Sequence, residues 1–396
     1  MHSRLLRSLL ASALAGLFSA SGASKAALNP SEQSVSDAID QTCAQSTQGN
    51  PLCSALANGR NPDLTIQSIT PLQILGIGSI ATRITGGQMS LLNGMVTERG
   101  RLLHHAVQHG GAGDEFGSPL GFWFKADTGF GQRETTRTFA GFGFNNFGLN
   151  GGADYRITDN WVSGLAFTYH RNNARFDAGR GDTDSDAYSG SIYTSYYITD
   201  GLHVEATGSY GGLDYDTVRN VLLPTGREQL RGSPGARNYT FSFGGGYDFS
   251  YQSFTFAPYA RVDYLGLDVE GFRESGGISA VQFDKQNIRS LMSSVGGQVS
   301  TAISFPWGVL SPQLRTEWHH QFLDNARQVH GAFLTAPSTS QFTIFGGPPD
   351  RDYYTLGGDV SAQFAQGISA FLSYQTLLGS RHIESHRVML GTRLEF

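Results

Sequence analysis

Cysteine is almost missing from this chain: Cys43 and Cys53 are the only two among 396 residues. So small a number excludes a disulfide-dense secreted scaffold, and with no histidine near the pair it excludes a four-ligand zinc site. Charge is scarce too, at 15% of residues against an average of about 25%. Few charges normally accompany a rich apolar core, yet hydrophobic residues reach only 39% where about 45–50% is usual. The two shortfalls together fit an ordinary soluble domain poorly. Long apolar runs are also lacking: beyond the first 26 residues no stretch approaches the roughly 18 apolar residues of a membrane-spanning helix.

What is present has a different character. Glycine reaches 51 residues and the aromatics are 26 Phe, 16 Tyr and 4 Trp, enough for aromatic girdles at both membrane interfaces. At the N-terminus Arg4 and Arg7 precede the apolar stretch from Ser8 to Phe18, and Ser24-Lys25-Ala26 offers a small-x-small cleavage site. This is the order of a secretory signal cut after Ala26, which puts the mature chain outside the cytoplasm. In an oxidising compartment Cys43 and Cys53 are expected to pair. Loss of Arg4, Arg7 and Lys25 leaves 25 basic against 33 acidic residues, a net charge of −8, and that balance excludes nucleic acid as a partner.

From Pro119 onward the pattern is one of alternation. Strands are predicted near residues 120–131, 141–157, 161–171, 186–198, 202–219, 238–249, 254–272, 287–303, 309–323, 354–364, 368–378 and 385–396. In the closing segment Val388, Leu390, Leu394 and Phe396 share one face, while Arg387, Gly391, Arg393 and Glu395 share the other. Such a period of two describes a strand between unlike environments. The connections alternate as well. Thr158-Asp159-Asn160, Thr199-Asp200-Gly201, Ser250–Ser253, Phe305–Gly308 and Ala365-Gln366-Gly367 are tight, whereas 172–185, 220–237, 273–286 and 324–353 are long. Twelve strands with short turns at one rim and long loops at the other describe an all-β, antiparallel transmembrane barrel of the bacterial outer membrane, with both barrel ends at the periplasmic rim. In the seventh strand Phe254, Phe256 and Val262 take the lipid phase and Tyr259, Arg261 and Asp263 the lumen phase. In the ninth, Leu310, Leu314, Trp318 and Phe322 oppose Gln313, Arg315, Glu317 and His319. The expected lumen charges therefore include Glu205, Arg261, Asp263, Arg315, Glu317 and Arg387, either as a satisfied polar interior or as contacts to a plug.

Residues 27–117 show no alternation. Ser31 to Gln41 has helical spacing with Ser31 as N-cap, and residues 90–103 repeat apolar positions at three- and four-residue steps. The expected organisation is a signal at 1–26, a short helical leader at 27–75, a linker and pore-plugging helix at 76–117, and the barrel at 118–396.

At this point the chain resembles the translocator domain of the autotransporters, the type V secretion proteins. The likeness rests on Gly152-Ala153-Asp154-Tyr155-Arg156 followed by Asn160-Trp161, on Ser209-Tyr210-Gly211 with Asp214, Asp216 and Arg219, and on Pro258–Tyr264 running to Gly271-Phe272-Arg273-Glu274. Trp318-His319-His320-Gln321-Phe322 and the terminal Gly391, Leu394 and Phe396 continue it. The resemblance implies a twelve-stranded barrel, a helix in the pore and export of the segment upstream of that helix. It also implies assembly by the barrel assembly machinery and periplasmic chaperones, with Gly391, Leu394 and Phe396 as the assembly signal. The chain departs from the family in having only about sixty residues between Ala26 and the plug, and in placing Asn93 alone beside Gly94 where some relatives are cut at paired asparagines.

Little points to catalysis or to cofactors. There is no Gly-x-Ser-x-Gly elbow and no Gly-Asp-Ser-Leu start. His319, His320 and Asp324 cluster at the end of a strand as in a protease barrel, but the family resemblance accounts for the histidines structurally, and His104, His105 and His109 read as solvated. Asp182, Asp184 and Asp186 have one-three-five calcium spacing, but Ala187 stands where the loop needs glycine. Overlapping them, Arg180-Gly181-Asp182 is a candidate adhesion loop toward a host-cell surface ligand. The expectation is an outer-membrane translocator and anchor of a short N-terminal segment, without enzymatic activity, in a Gram-negative bacterium. The alternative is an orphan barrel that serves as a surface adhesin or a pore.

Overall fold

The computed structural model describes residues 28–45, 49–57, 62–80, 82, 86, 94, 119–323, 325–336, 340–364 and 367–395. Ala26, Asn93, His104, His105, His109, Asp324 and Phe396 lie outside them, as does most of the helix expected at 90–103.

Twelve strands form the barrel: β1 (Leu120–Arg133), β2 (Phe142–Thr158), β3 (Trp161–Phe176), β4 (Gly181–Tyr197), β5 (Leu202–Leu223), β6 (Gly235–Tyr247), β7 (Phe254–Val269), β8 (Gln286–Thr301), β9 (Gly308–Gln321), β10 (Asp352–Phe364), β11 (Ile368–Leu378) and β12 (Ile383–Glu395). Each pairs antiparallel with its sequence neighbour, and β12 closes on β1 from Gly121↔Glu395 to Arg133↔Ile383. Closure leaves no free sheet edge in the barrel, which is what a bilayer without competing water demands of the backbone. Among the described residues no helix is long and apolar enough to span a membrane.

The expected facing holds along the wall. Leu314, Leu390 and Val262 are exposed, with Leu314 at 54%, while Glu317, His319 and Arg393 on the opposite phase are buried. For a membrane barrel, solvent-exposed leucine is lipid-exposed leucine.

Three differences from the sequence reading concern the long-loop side. β3 and β4 run on to a tight turn at Asp177–Gly179, so the predicted 172–185 loop is mostly sheet. β5 extends to Leu223 and folds back as a hairpin with Gly226–Gly232 in place of an open loop. The 273–286 and 324–353 connections contribute to a separate sheet of Phe272–Arg273, Val281–Phe283, Gln328–Phe333 and Gln341–Phe345. Loop composition conceals this sheet because its central pairing, Val281↔Phe333, joins two different loops far apart in sequence.

Three leader helices lie on this outer side: α1 (Pro30–Gln45), α2 (Pro51–Ala57) and α3 (Pro62–Ile69). Residues 74–80, Thr82, Gly86 and Gly94 are also helical. The cap of α1 corrects the expectation of Ser31. Asn29 Oδ1 accepts from the Glu32 amide at 2.9 Å and Glu32 Oε2 accepts from the Asn29 amide at 2.8 Å, a reciprocal capping box with Pro30 at the first helical position.

Candidate functional site

The lumen wall is polar because every second residue of each strand turns inward, and its charges pair across strands. Arg261 Nε lies 2.9 Å from Asp263 Oδ2, and its Nη1 3.2 Å from Glu317 Oε1. Tyr259 Oη and Thr355 Oγ1 also donate to Glu317, at 2.8 and 3.0 Å. Arg315 is 3.4 Å from Asp359, and Glu205 is 3.7 Å from His203 Nε2. Of the expected lumen charges, Arg261, Asp263 and Glu317 thus come together in one network. Arg315, Glu205 and Arg387 line a deeper part of the lumen around Gly94.

A second network joins the assembly-signal strand to β2. Arg393 Nη2 donates to both oxygens of Asp154 at 2.6 and 2.7 Å and its Nε donates to Glu395 Oε1 at 3.0 Å, Tyr193 Oη reaches the Asp154 carboxylate at 3.2 Å, and Trp123 Nε1 donates to Tyr193 Oη at 2.8 Å. Sequence reading missed Asp154, Tyr193 and Asp359 as partners, although the inward phase of their strands carries them. Gly391 and Leu394 sit in β12, Leu394 facing outward and the bare Gly391 packed under the Phe371 ring and Lys125.

The Arg180-Gly181-Asp182 triplet is not presented on a loop. Arg180 ends the turn, while Gly181 and Asp182 are half-buried in β4, paired with Phe176 and Arg175 on one side and Arg219 and Val218 on the other. Asp182, Asp184 and Asp186 alternate along this strand and do not wrap a loop, and no cluster fit for a metal occurs among the described residues. His319 is a wall residue: Nδ1 meets Ser294 Oγ at 2.8 Å, Nε2 meets Thr355 Oγ1 at 3.1 Å, and its ring stacks on Tyr353.

Above the lumen the leader closes the outer mouth. Val35, Ile39, Leu52, Ile66, Ile69, Leu72 and Leu75 share one core with Phe142, Phe176, Leu213, Leu230, Leu267, Phe333 and Ile344 of the strand tips and outer sheet. Each such side chain contributes about 1.5–3 kcal/mol by leaving water. The disulfide Cys43–Cys53 joins α1 to α2 with 5.6 Å between Cα atoms. Polar ties then fix the docking. Ser31 Oγ accepts from the Phe345 amide at 2.8 Å and Ser34 Oγ from the Thr343 amide at 2.9 Å. These are alternate amides on the outer edge of strand Gln341–Phe345, so α1 covers an edge that would otherwise lie open. Arg219 holds Glu274 with bonds of 2.8 and 2.5 Å and donates to Ile69 O at 3.0 Å and Ser279 O at 3.1 Å, fully buried. Arg327 Nη2 donates to Leu75 O at 2.6 Å and to Ser79 Oγ at 3.0 Å. From there the chain descends: Thr82 and Gly86 line the outer lumen with Arg261 and Glu317, and a methyl group on Gly94 would stand 3.5 Å from Arg315 Nη1.

Comparison with known proteins places this geometry in context. The translocator domain of autotransporter NalP from Neisseria meningitidis superposes with a TM-score of 0.59 at 15% identity, covering 80% of this chain and 99% of that one. The β domain of the Bordetella autotransporter BrkA gives 0.52 at 17% identity, covering 70% and 100%. In sequence the chain is 27% identical to esterase EstA of Pseudomonas aeruginosa over 64% of its length and 39% of the esterase. It is 24% identical to an extracellular serine protease of Serratia marcescens over 66% of its length and 25% of the protease. The chain thus spans about two-fifths or less of these curated relatives. The family model of the autotransporter β-domain matches residues 122–375, well over half of the chain, and the chain belongs to that family of outer-membrane barrels.

Proposed function

We propose that this barrel translocates its own N-terminal segment and then anchors it on the cell surface as a folded cap, with no catalytic chemistry of its own. One observation carries the reading. Residues 28–80 build a common core with the outer loops, while Gly94 lies deep in the lumen and Leu120 begins β1 at the opposite rim. A chain laid out in that order runs through the pore from outside to periplasm, with the leader on the far side of the membrane. The plug is then the descending segment around Gly86 and Gly94, and the paired lumen charges line its path without being spent on catalysis. Gly391, Leu394 and Phe396 serve as the assembly signal read by the barrel assembly machinery. The experiment is surface labelling of intact cells carrying Leu64→Cys, since Leu64 on α3 is 61% exposed. A membrane-impermeant maleimide should modify it. Full protection of that cysteine, with normal labelling after the outer membrane is permeabilised, would place the leader in the periplasm and overturn the reading.

A further inference from the structure

Two glycines stand in the helical run 74–80, Gly76 and Gly78, although each costs a helix interior about 1 kcal/mol relative to alanine. Neither has a positive φ, so left-handed backbone is not what they supply. Close approach is. A methyl group on Gly76 would stand 2.6 Å from Phe176 Cζ, and one on Gly78 would overlap Arg327 Nη1 and Ile288 Cδ1. Residues two apart are turned by about 200° around a helix, so the two contacts press from opposite sides. Phe176 ends β3, Ile288 lies near the start of β8 and Arg327 belongs to the β9–β10 connection. Three separate parts of the rim therefore meet the helix at its two bare positions. Within residues 27–117 the pattern Gly-x-Gly recurs at Gly111-Ala112-Gly113, which lies outside the described residues.

We propose that Phe176, Ile288 and Arg327 form a collar at the outer mouth, and that its closure on Gly76 and Gly78 sets the register at which the threaded chain halts. These are positioning residues for export, and the proposal rests on the outward threading argued above. Arg327 grips the helix through Leu75 O and Ser79 Oγ. Among the described residues it has no carboxylate partner, and burial, with Arg133 beside it, pushes its pKa down to about 10. Its hold is therefore on the helix and not on the barrel wall.

The test uses the full-length protein in intact cells, with Gly94→Cys as a depth marker and a bulky impermeant maleimide as the probe. With the collar intact, Cys at position 94 should label slowly. Arg327→Ala should let the chain slide outward and label roughly tenfold faster, the scale of one or two charge-assisted hydrogen bonds. Gly78→Ala should speed labelling in the presence of Arg327 and add less in the Arg327→Ala protein, where only the collision with Ile288 remains. Heat-modifiable migration of the barrel on SDS gels confirms that each variant is folded. If Gly78→Ala slows labelling or leaves it unchanged, as better helix propensity alone would predict, the collar is wrong. Protection of Leu64→Cys in the same cells would instead sink the threading itself. Leu64→Cys labelled normally, with position 94 indifferent to both substitutions, would sink the collar alone.

Discussion

At the scale of single residues the strongest demands are made by buried charges. Arg219 and Glu274 are desolvated together; Arg219 donates to backbone carbonyls of the leader and of the outer loop, and Glu274 accepts from the Val281 amide. Removing one partner strands the other in an apolar core, at a cost of about 3–5 kcal/mol. Arg219→Ala should therefore lower the urea concentration at which the leader becomes protease-sensitive, while the barrel keeps its heat-modifiable migration. An unchanged midpoint would show the pair to be ornamental. On the lipid face the logic is reversed. Leu314 is outward in β9, and Leu314→Arg should cost about 2–4 kcal/mol near the midplane, read as a lower unfolding temperature on SDS gels. The facing of Leu314 and Arg315 was legible from alternation alone, because a strand exposes adjacent residues to opposite sides. The partner of Arg315 was not: Asp359 is 44 residues away and is brought near only by the pairing of β9 with β10.

Elements show where the leader gains its stability. The loop closed by Cys43–Cys53 spans 10 residues, and a link of that size stabilises by about 2–3 kcal/mol through the unfolded chain. Reduction, or Cys43→Ser with Cys53→Ser, should loosen α1 and α2 to protease and leave barrel migration untouched. The edge strand Gln341–Phe345 depends on α1 in another way. Its Thr343 and Phe345 amides are satisfied by Ser34 and Ser31, and losing such a partner costs about 1–3 kcal/mol per buried group. Ser31→Ala with Ser34→Ala should speed hydrogen exchange at those two amides and not at Val329, whose amide lies within the sheet. Equal protection in the variant would mean that the helix does not close this edge. Sequence spacing did announce α1, yet it assigned Ser31 to the cap. Asn29 takes that role because its side chain and that of Glu32 can bond reciprocally, which frees the Ser31 hydroxyl for the neighbouring strand.

For the molecule as a whole, the proposed function has the outer cap and the plug occupy the conduit together. Planar-bilayer recordings of the intact barrel should show low conductance, and deletion of residues 76–112 should raise it to that of an open twelve-stranded pore. Large, stable conductance from the full chain would favour the pore reading over the capped translocator. The leader packs on the loops with residues such as Val35, Ile39 and Ile69, so the cap and the plug are expected to be lost together when that core is disrupted.

The strand number, the closure, the two faces of the wall and the membrane itself were determined by the sequence alone. Those properties follow from local rules, namely a period of two along each strand and turn residues at one rim. What only the tertiary structure decided is where the leader goes and what the loops become. Val281 pairs with Phe333, Arg219 reaches Ile69, and Arg327 fits against Gly78. Each of these joins segments distant in sequence whose local patterns carry no trace of one another, and only the folded chain brings their surfaces into contact.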